Sequence, residues 1–223
     1  MNIIRRPFKY KNFGAVYWLI GINILVFAFT MLVGSKISVY LDVGKQRYIM
    51  SITDSLAMIP IAVLQGWVWS FVTYMFVHGG FSHILFNMLG LFIFGIHVER
   101  QMGSLEFLLF YFITGILAGI FSFGVYFYTG NFVVALVGAS GALYAVQLAY
   151  AVLFPNAIVY IWGILPLRAP IMVLGFTILS LFFIFTGTGG NIAHLTHLAG
   201  FGFCWLYFLI RFGINPWRYL TGR

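Results

Sequence analysis

Acidic side chains are nearly missing from this chain. Asp42, Asp54, Glu99 and Glu106 are the whole set, and charged residues of both signs make up only 7% of 223 residues. A soluble domain carries about 25%. So little charge cannot cover a water-facing surface, which excludes an ordinary soluble protein and leaves lipid as the covering medium. Cysteine is missing except for Cys204. An internal disulfide is therefore excluded, and the lone thiol, set in an apolar run, reads as a small packing residue. No basic cluster with interleaved aromatics occurs. The net charge of +8 is therefore assigned to topology and anionic lipid head groups, and no nucleic-acid partner is expected. Internal repeats, low-complexity linkers and a compositional boundary are lacking too, so residues 1–223 read as a single membrane domain.

What is present is apolar, at 62%, and aromatic, at 20%. At roughly 20 residues per crossing, six spans read from the chain: 15–33, 81–98, 105–128, 132–154, 171–185 and 192–210. The first is too long for a signal-peptide core and lacks a small-residue cleavage site, so it reads as an uncleaved span. Residues 34–80 differ, because Lys36, Asp42, Lys45, Arg47 and Asp54 interrupt short apolar pieces. This is expected to be a long loop with amphipathic or re-entrant parts at the interface, with Trp67 and Trp69 at head-group level. Pro155 and Asn156 stop the fourth run, and Gly187, Gly189, Gly190 and Asn191 close the fifth. The expected fold class is all-α: a polytopic bundle of six transmembrane helices with a long, partly membrane-embedded loop after the first.

Charge orients this bundle. With six spans both termini share one side, which receives Arg5, Arg6, Lys9, Lys11, Arg100, Arg168, Arg211, Arg218 and Arg223. The other side receives Lys36, Lys45 and Arg47. The excess of basic residues marks the first side as cytoplasmic. Residues 1–14 and 212–223 then lie in the cytoplasm and the 34–80 loop outside.

With that orientation, spans two, four and six enter the bilayer from outside, and each carries its polar residues near its start. Span two has Ser82, His83 and Asn87; span four has Gly138-Ala139-Ser140-Gly141; span six has Asn191, His194 and His197. Residues 132–137, β-branched or bulky, are expected to be extended, which brings Ser140 to the depth of the histidines. Each residue has a bland reading. A lone intramembrane serine usually bonds its own helix, small residues mark ordinary helix crossings, and His78, His83 and His97 suit caps or head-group contacts. The convergence on three spans favours chemistry. A serine hydroxyl becomes a nucleophile when a neutral imidazole takes its proton, and His197 is the candidate base for Ser140. Asn87, His83 and the Ser140 backbone N–H are candidate donors to a tetrahedral oxyanion. Gly138 and Gly141 let a substrate backbone come close to Ser140. No acid follows Glu106, so the unit reads as a dyad. Tyr144, one turn after Ser140, is placed to stack on His197 instead. His194, three residues before His197, is expected to be structural.

These motifs, in this order, resemble the rhomboid family of intramembrane serine proteases. Leu19-Ile20-Gly21-Ile22-Asn23 with Val26-Phe27 is similar to the family's first span. His78 to Asn87, HGGFSHILFN, is similar to its HxxxxN segment, and Glu99-Arg100 with Gly103 to its exit from span two. Gly138-Ala139-Ser140-Gly141 with Tyr144 is similar to its GxSG site, and His197-Leu198-Ala199-Gly200, with His194 before it, to its last helix. The resemblance implies Ser140 as nucleophile, His197 as general base, and His83 and Asn87 in the oxyanion hole, in a cavity open to the outside. It also implies a mobile fifth span as lateral gate, and single-span membrane proteins as substrates, cut after a small residue. It implies no cofactor and no metal, and the compact six-span form suits a bacterial plasma membrane. Two positions depart from the family pattern. Ser70 follows Trp69 where the family usually has arginine, and Cys204 stands four residues after Gly200 where it usually has glycine. A silent member that only binds transmembrane helices, and a transporter or metal handler using His78, His83, His194 and His197, remain the alternatives.

The dyad reading makes the loop acids dispensable. Asp42→Asn and Asp54→Asn should each change turnover of a transmembrane substrate by less than about tenfold. A triad aspartate replaced by asparagine costs about four orders of magnitude, and a loss of that size in a folded variant would mean the loop supplies a third member.

Overall fold

The computed structural model describes residues 5, 8–34, 36–161, 163–186 and 191–221, the last range less the side chains of 191–193 and 221. Arg6, Arg223, Gly187, Gly189 and Gly190, used above for topology and helix ends, and the side chain of Asn191, lie outside the described residues.

The first apolar run folds as α1, Ala15–Gly34. A hairpin follows, β1 (Ser38–Val43) and β2 (Gln46–Ser51), and then three short helices, α2 (Ile52–Leu56), α3 (Pro60–Leu64) and α4 (Ser70–Thr73). The long helices α5 (Phe81–Met102) and α6 (Ser104–Tyr128) come next. After them are α7 (Ser140–Leu153), a second hairpin of β3 (Ile158–Ile161) and β4 (Leu165–Arg168), α8 (Ala169–Thr186), α9 (Asn191–Tyr207) and the short α10 (Pro216–Thr221).

Five of the described helices are long and apolar enough to cross a membrane: α1, α5, α6, α8 and the stretch His194–Phe212 that contains α9. The fourth expected span is different. Only its second half is helical, because α7 starts at Ser140 and runs 14 residues. At 1.5 Å per residue that is about 21 Å, short of a hydrocarbon core of about 30 Å. Residues 131–139 are not helical: Phe132 and Val133 form a turn, Leu136 is paired to Met58, and Ala139 has right-handed backbone angles. Every α7 side-chain position from Gly141 to Val152 except Tyr144 is buried, so this helix is enclosed by protein on all sides. The outer helices instead present large apolar side chains outward, among them Trp18, Leu25, Leu32, Leu174 and Phe185. This chain is an integral, multi-pass membrane protein.

The 34–80 segment is more ordered than an interfacial loop. Val39, Leu41 and Val43 alternate with polar residues, Gly44 turns the chain at φ +61°, and Asp42 pairs with Arg47 opposite it in the register. That guanidinium also holds the exposed Asp42 carboxyl below its ordinary range. Asp54 closes a capping box with Ser51 on α2. Leu41, Ala57, Ile59 and Ala62 form a small core of their own. Both loop acids are thus occupied within the loop. Ser70, the departure from the family pattern, is fully buried and donates to the Trp67 carbonyl. The loop is tied down without an arginine: the Trp69 indole donates to Ser55 O and the Thr73 hydroxyl to Leu56 O.

At the end of the bundle away from Ser140, buried acids organise the helices. Gly14 before α1 provides no side-chain cap, and the first N–H groups of a helix lack internal partners. Glu99 reaches across from α5 and accepts from the N–H groups of Ala15 (2.6 Å) and Val16 (3.0 Å) and from the Ser104 hydroxyl. Glu106 accepts a two-pronged contact from Arg211, each arm 2.7 Å, and the Tyr207 hydroxyl at 2.5 Å. Lys11 O accepts from Ser104 N and Arg100 O from the Tyr10 hydroxyl. Lys11, Arg100 and Arg211 therefore gather at one end. His97 also sits toward this end, its Nδ1 2.8 Å from Ile93 O.

Removing Arg211 leaves the Glu106 carboxylate buried without a countercharge, held only by the Tyr207 hydroxyl and the Phe8 backbone. Arg211→Met should destabilise the protein by about 3–5 kcal/mol. The double variant Glu106→Gln with Arg211→Met should recover most of that loss, and thermal unfolding in detergent compares the three.

Candidate active site

Ser140 is the first residue of α7, and the chain approaches it through a non-helical segment that the loop holds. Met58 and Leu136 exchange both backbone hydrogen bonds, Phe132 O accepts from Ile61 N, and Gly138 N donates to Tyr74 O at 2.9 Å. Tyr74 is itself fixed: its hydroxyl donates to Gly115 O at 2.7 Å. Tyr74 and Met75 fit against Gly119 and Gly115 of α6, where an added Cβ would lie 2.8 Å and 2.3 Å from them. Gly138 turns the chain at φ +109°, a region L side chains rarely adopt, and a Cβ there would meet His83 Nε2 at 2.6 Å. Glycine is required at 138 for both reasons.

The His197 Nε2 atom lies 2.8 Å from Ser140 Oγ. Two backbones make this distance possible. Gly200 faces Gly141 so closely that a Cβ at 200 would lie 2.1 Å from the Gly141 carbonyl oxygen. Gly141 in turn fits between Ala118 and Thr196, and Cys204, one turn after Gly200, is fully buried. The register of α9 is pinned by Thr196, whose hydroxyl is 2.6 Å from that of Ser122 on α6. Tyr144 stacks on the His197 ring at 4.1 Å and 11°, and its hydroxyl is within hydrogen-bonding reach of Ser180 on α8. The His197 Nδ1 atom has no hydrogen-bond partner among the described residues. The ring is therefore oriented by stacking and packing, without a carboxylate. His194 stacks on Phe183 of α8 at 4.8 Å and meets the His197 ring edge-on at 5.9 Å.

On α5, Gly79 N donates to His83 Nδ1 at 3.3 Å, so the neutral ring carries its proton on Nε2, the atom facing Gly138. Asn87 donates one amide hydrogen to His83 O at 2.8 Å, which leaves the other for a ligand. His78 is not a head-group residue. It is 1% exposed, its ring meets the His83 ring edge-on at 5.0 Å, and burial followed by that neighbour pushes it down to about 4. The structure thus brings Ser140, His197, Tyr144, Gly141 and Gly200 into mutual contact, with His83 against Gly138. Among the described residues no three His, Cys, Asp or Glu side chains gather as a metal site would need. Sequence reasoning missed Thr196 with Ser122, Ser180, and Tyr74 with Gly115 and Gly119. The Gly115-x-x-x-Gly119 spacing was a legible signal for the last of these; the hydroxyl pairs had none.

A hydroxyl at this distance from a neutral imidazole can pass it a proton, and the N–H groups opening α7 lack helical partners and point at anything bound there. Residues 65–214 match the Rhomboid domain family. Over 153 residues the chain is 33% identical to YdcA of Bacillus subtilis, a protein bearing a rhomboid-protease name, across 68% of this chain and 70% of that one. It is 32% identical over 142 residues to mouse Rhomboid-related protein 2, across 59% of this chain and 44% of the other. With rhomboid protease GlpG of Haemophilus influenzae the identity is 37% over 81 residues, across 35% and 38% of the two chains.

The contact at Gly200 leaves no space for a methyl, whereas a Cβ on Gly202 meets nothing within 4 Å. Gly200→Ala should lower stability by about 3 kcal/mol or more and abolish fluorophosphonate labelling of Ser140, and Gly202→Ala should match wild type in both assays.

Proposed function

Because the chain belongs to the rhomboid family, known as intramembrane serine proteases, we propose that it hydrolyses peptide bonds in or near transmembrane segments of single-span membrane proteins with a Ser140–His197 dyad. The observation that carries this reading is the 2.8 Å contact between Ser140 Oγ and His197 Nε2. His197 Nε2 takes the Ser140 proton as Oγ attacks the scissile carbonyl. The oxyanion is held by Ser140 N–H at the positive end of α7 and by the side chains of His83 and Asn87. His197 then gives the proton to the leaving amine, and water, deprotonated by the same imidazole, hydrolyses the acyl-enzyme. Tyr144 keeps the ring in line, and Gly138 and Gly141 leave room for the substrate backbone. His194, on α9 and stacked on Phe183 of α8, supports the ring and transfers no proton. No cofactor takes part.

We further propose that residues 1–223 act as one membrane domain in a bacterial plasma membrane, with 1–14 and 212–223 in the cytoplasm and 34–80 outside. The gathering of Lys11, Arg100 and Arg211 at one end supports this orientation.

Ser140→Ala and His197→Ala should each abolish cleavage of a model transmembrane substrate while leaving the fold intact, and the double variant should be no worse than either. His194→Ala should keep part of the activity. Asn87→Ala and His83→Ala should lower turnover roughly a hundred- to a thousandfold with little change in apparent substrate affinity. Substantial cleavage by purified Ser140→Ala would end the serine-protease reading.

A further inference from the structure

Away from Ser140, a cavity of about 880 Å³ opens on the lipid-facing side of α9, walled by Ile171 and Leu174 of α8, Gly202 and Leu206 of α9, and Trp217 and Leu220 of α10. It has the size of a site for a substantial organic ligand. Its walls are almost wholly apolar, and it lies on the outward face of a spanning helix, so acyl chain and not water must fill it. Its depth has a cause in the sequence. Gly202 carries no side chain on the outward face of α9, and a Cβ there would touch nothing within 4 Å. The short α10 closes one end, where Trp217 comes within 6.4 Å of Trp205, ring to ring.

Two cations flank that end. Arg168 closes β4 one residue before α8 begins, beside the lining residues Pro170 and Ile171, and Arg218 follows the lining residue Trp217 on α10. Both are exposed, and neither makes a side-chain hydrogen bond or ion pair among the described residues. Two other arginines near this end are engaged: Arg211 with Glu106 and Arg5 with Ile210 O. Beside Arg168, the hairpin turns Ile158, Tyr160, Ile164 and Leu165 outward, which sets that arginine at an apolar surface rather than in open water. A deep apolar groove ending at two free cations and a tryptophan has the chemistry of one amphiphile, with an apolar tail and an anionic head.

We propose that this groove is a site for an anionic glycerophospholipid of the leaflet at the Arg211 end, with an acyl chain along Gly202 and Leu206 and its phosphate between Arg168 and Arg218. Occupancy ties α8, α9 and α10 together at the end opposite the candidate active site.

Native mass spectrometry of the purified full chain, with phosphatidylglycerol or phosphatidylcholine of identical acyl chains added, tests the site. Phosphatidylglycerol should be retained with at least about tenfold preference. Arg168→Gln and Arg218→Gln should each lower that preference roughly fivefold. Gly202→Leu, at a position where a Cβ meets nothing within 4 Å, should reduce retention of both lipids in a protein whose unfolding temperature in lipid-free detergent is unchanged. Brominated phosphatidylglycerol should quench tryptophan fluorescence more than brominated phosphatidylcholine, and the excess should vanish in Trp205→Phe with Trp217→Phe. Equal retention of the two lipids, a double arginine variant with wild-type preference, or undiminished retention by Gly202→Leu would each overturn the proposal. So would a photo-crosslinker at position 202 that captures protein in place of lipid.

Discussion

At the crossing of α7 and α9 the Gly200 backbone rests on the Gly141 carbonyl, with no room for a methyl between them. Two helices normally stand 8–10 Å apart, spaced by side chains; here both surfaces have been stripped. In lipid there is no water to drive apolar faces together, so close van der Waals fit has to hold helices in place. The same approach sets the reach of two short side chains. Serine extends only one carbon from its backbone, and His197 must come to it. Move α9 outward by the thickness of one methyl and the Ser140–His197 hydrogen bond is lost. Cys204 preserves this crossing because it is small and fully buried.

The remaining architecture serves that crossing from both ends. At one end Glu99 caps α1 and Glu106 clamps Arg211 and Tyr207, which locks three helix ends with charged groups that each have partners. Such partners are obligatory, since an unpaired charge at membrane depth is costly. At the other end the loop carries the approach to Ser140. Tyr74 bonds at once to Gly138 N and, through its hydroxyl, to Gly115 O, so the position of the serine is set by a residue outside the spanning helices. The ring of His197 is held by Tyr144 on the same helix as the serine. Ser140 and the ring that stacks on His197 therefore move as one rigid element, which in the proposed mechanism takes the place of a buried acid.

Much of the fold was legible because lipid imposes a simple rule on sequence: long apolar runs, few charges, polar residues only where something partners them. Spans one, two, three, five and six followed from that rule. The fourth did not, because α7 is enclosed by protein and its length is set by packing, not by bilayer thickness. The hairpin at 38–51 was written in alternation around Gly44, but its charges were read as loop. The residue beside Trp69 shows a different limit: Ser70 stands where the family usually has arginine, yet Trp69, Thr73 and Tyr74 hold the loop by bonding to backbone carbonyls, and a backbone acceptor has no signature in sequence.

By itself the sequence determined that this chain lives in lipid, which residues are chemically able to act, and that no acid follows Glu106 to complete a triad. Composition and motif order carry those facts, since they depend on what each residue is. Only the tertiary structure decided that Ser140 and His197, 57 positions apart, share a hydrogen bond, that His78 is buried against His83, and that Thr196 pins the register through Ser122. Those depend on where backbones cross, and a crossing is fixed by the joint fit of several helices that no local stretch of sequence contains.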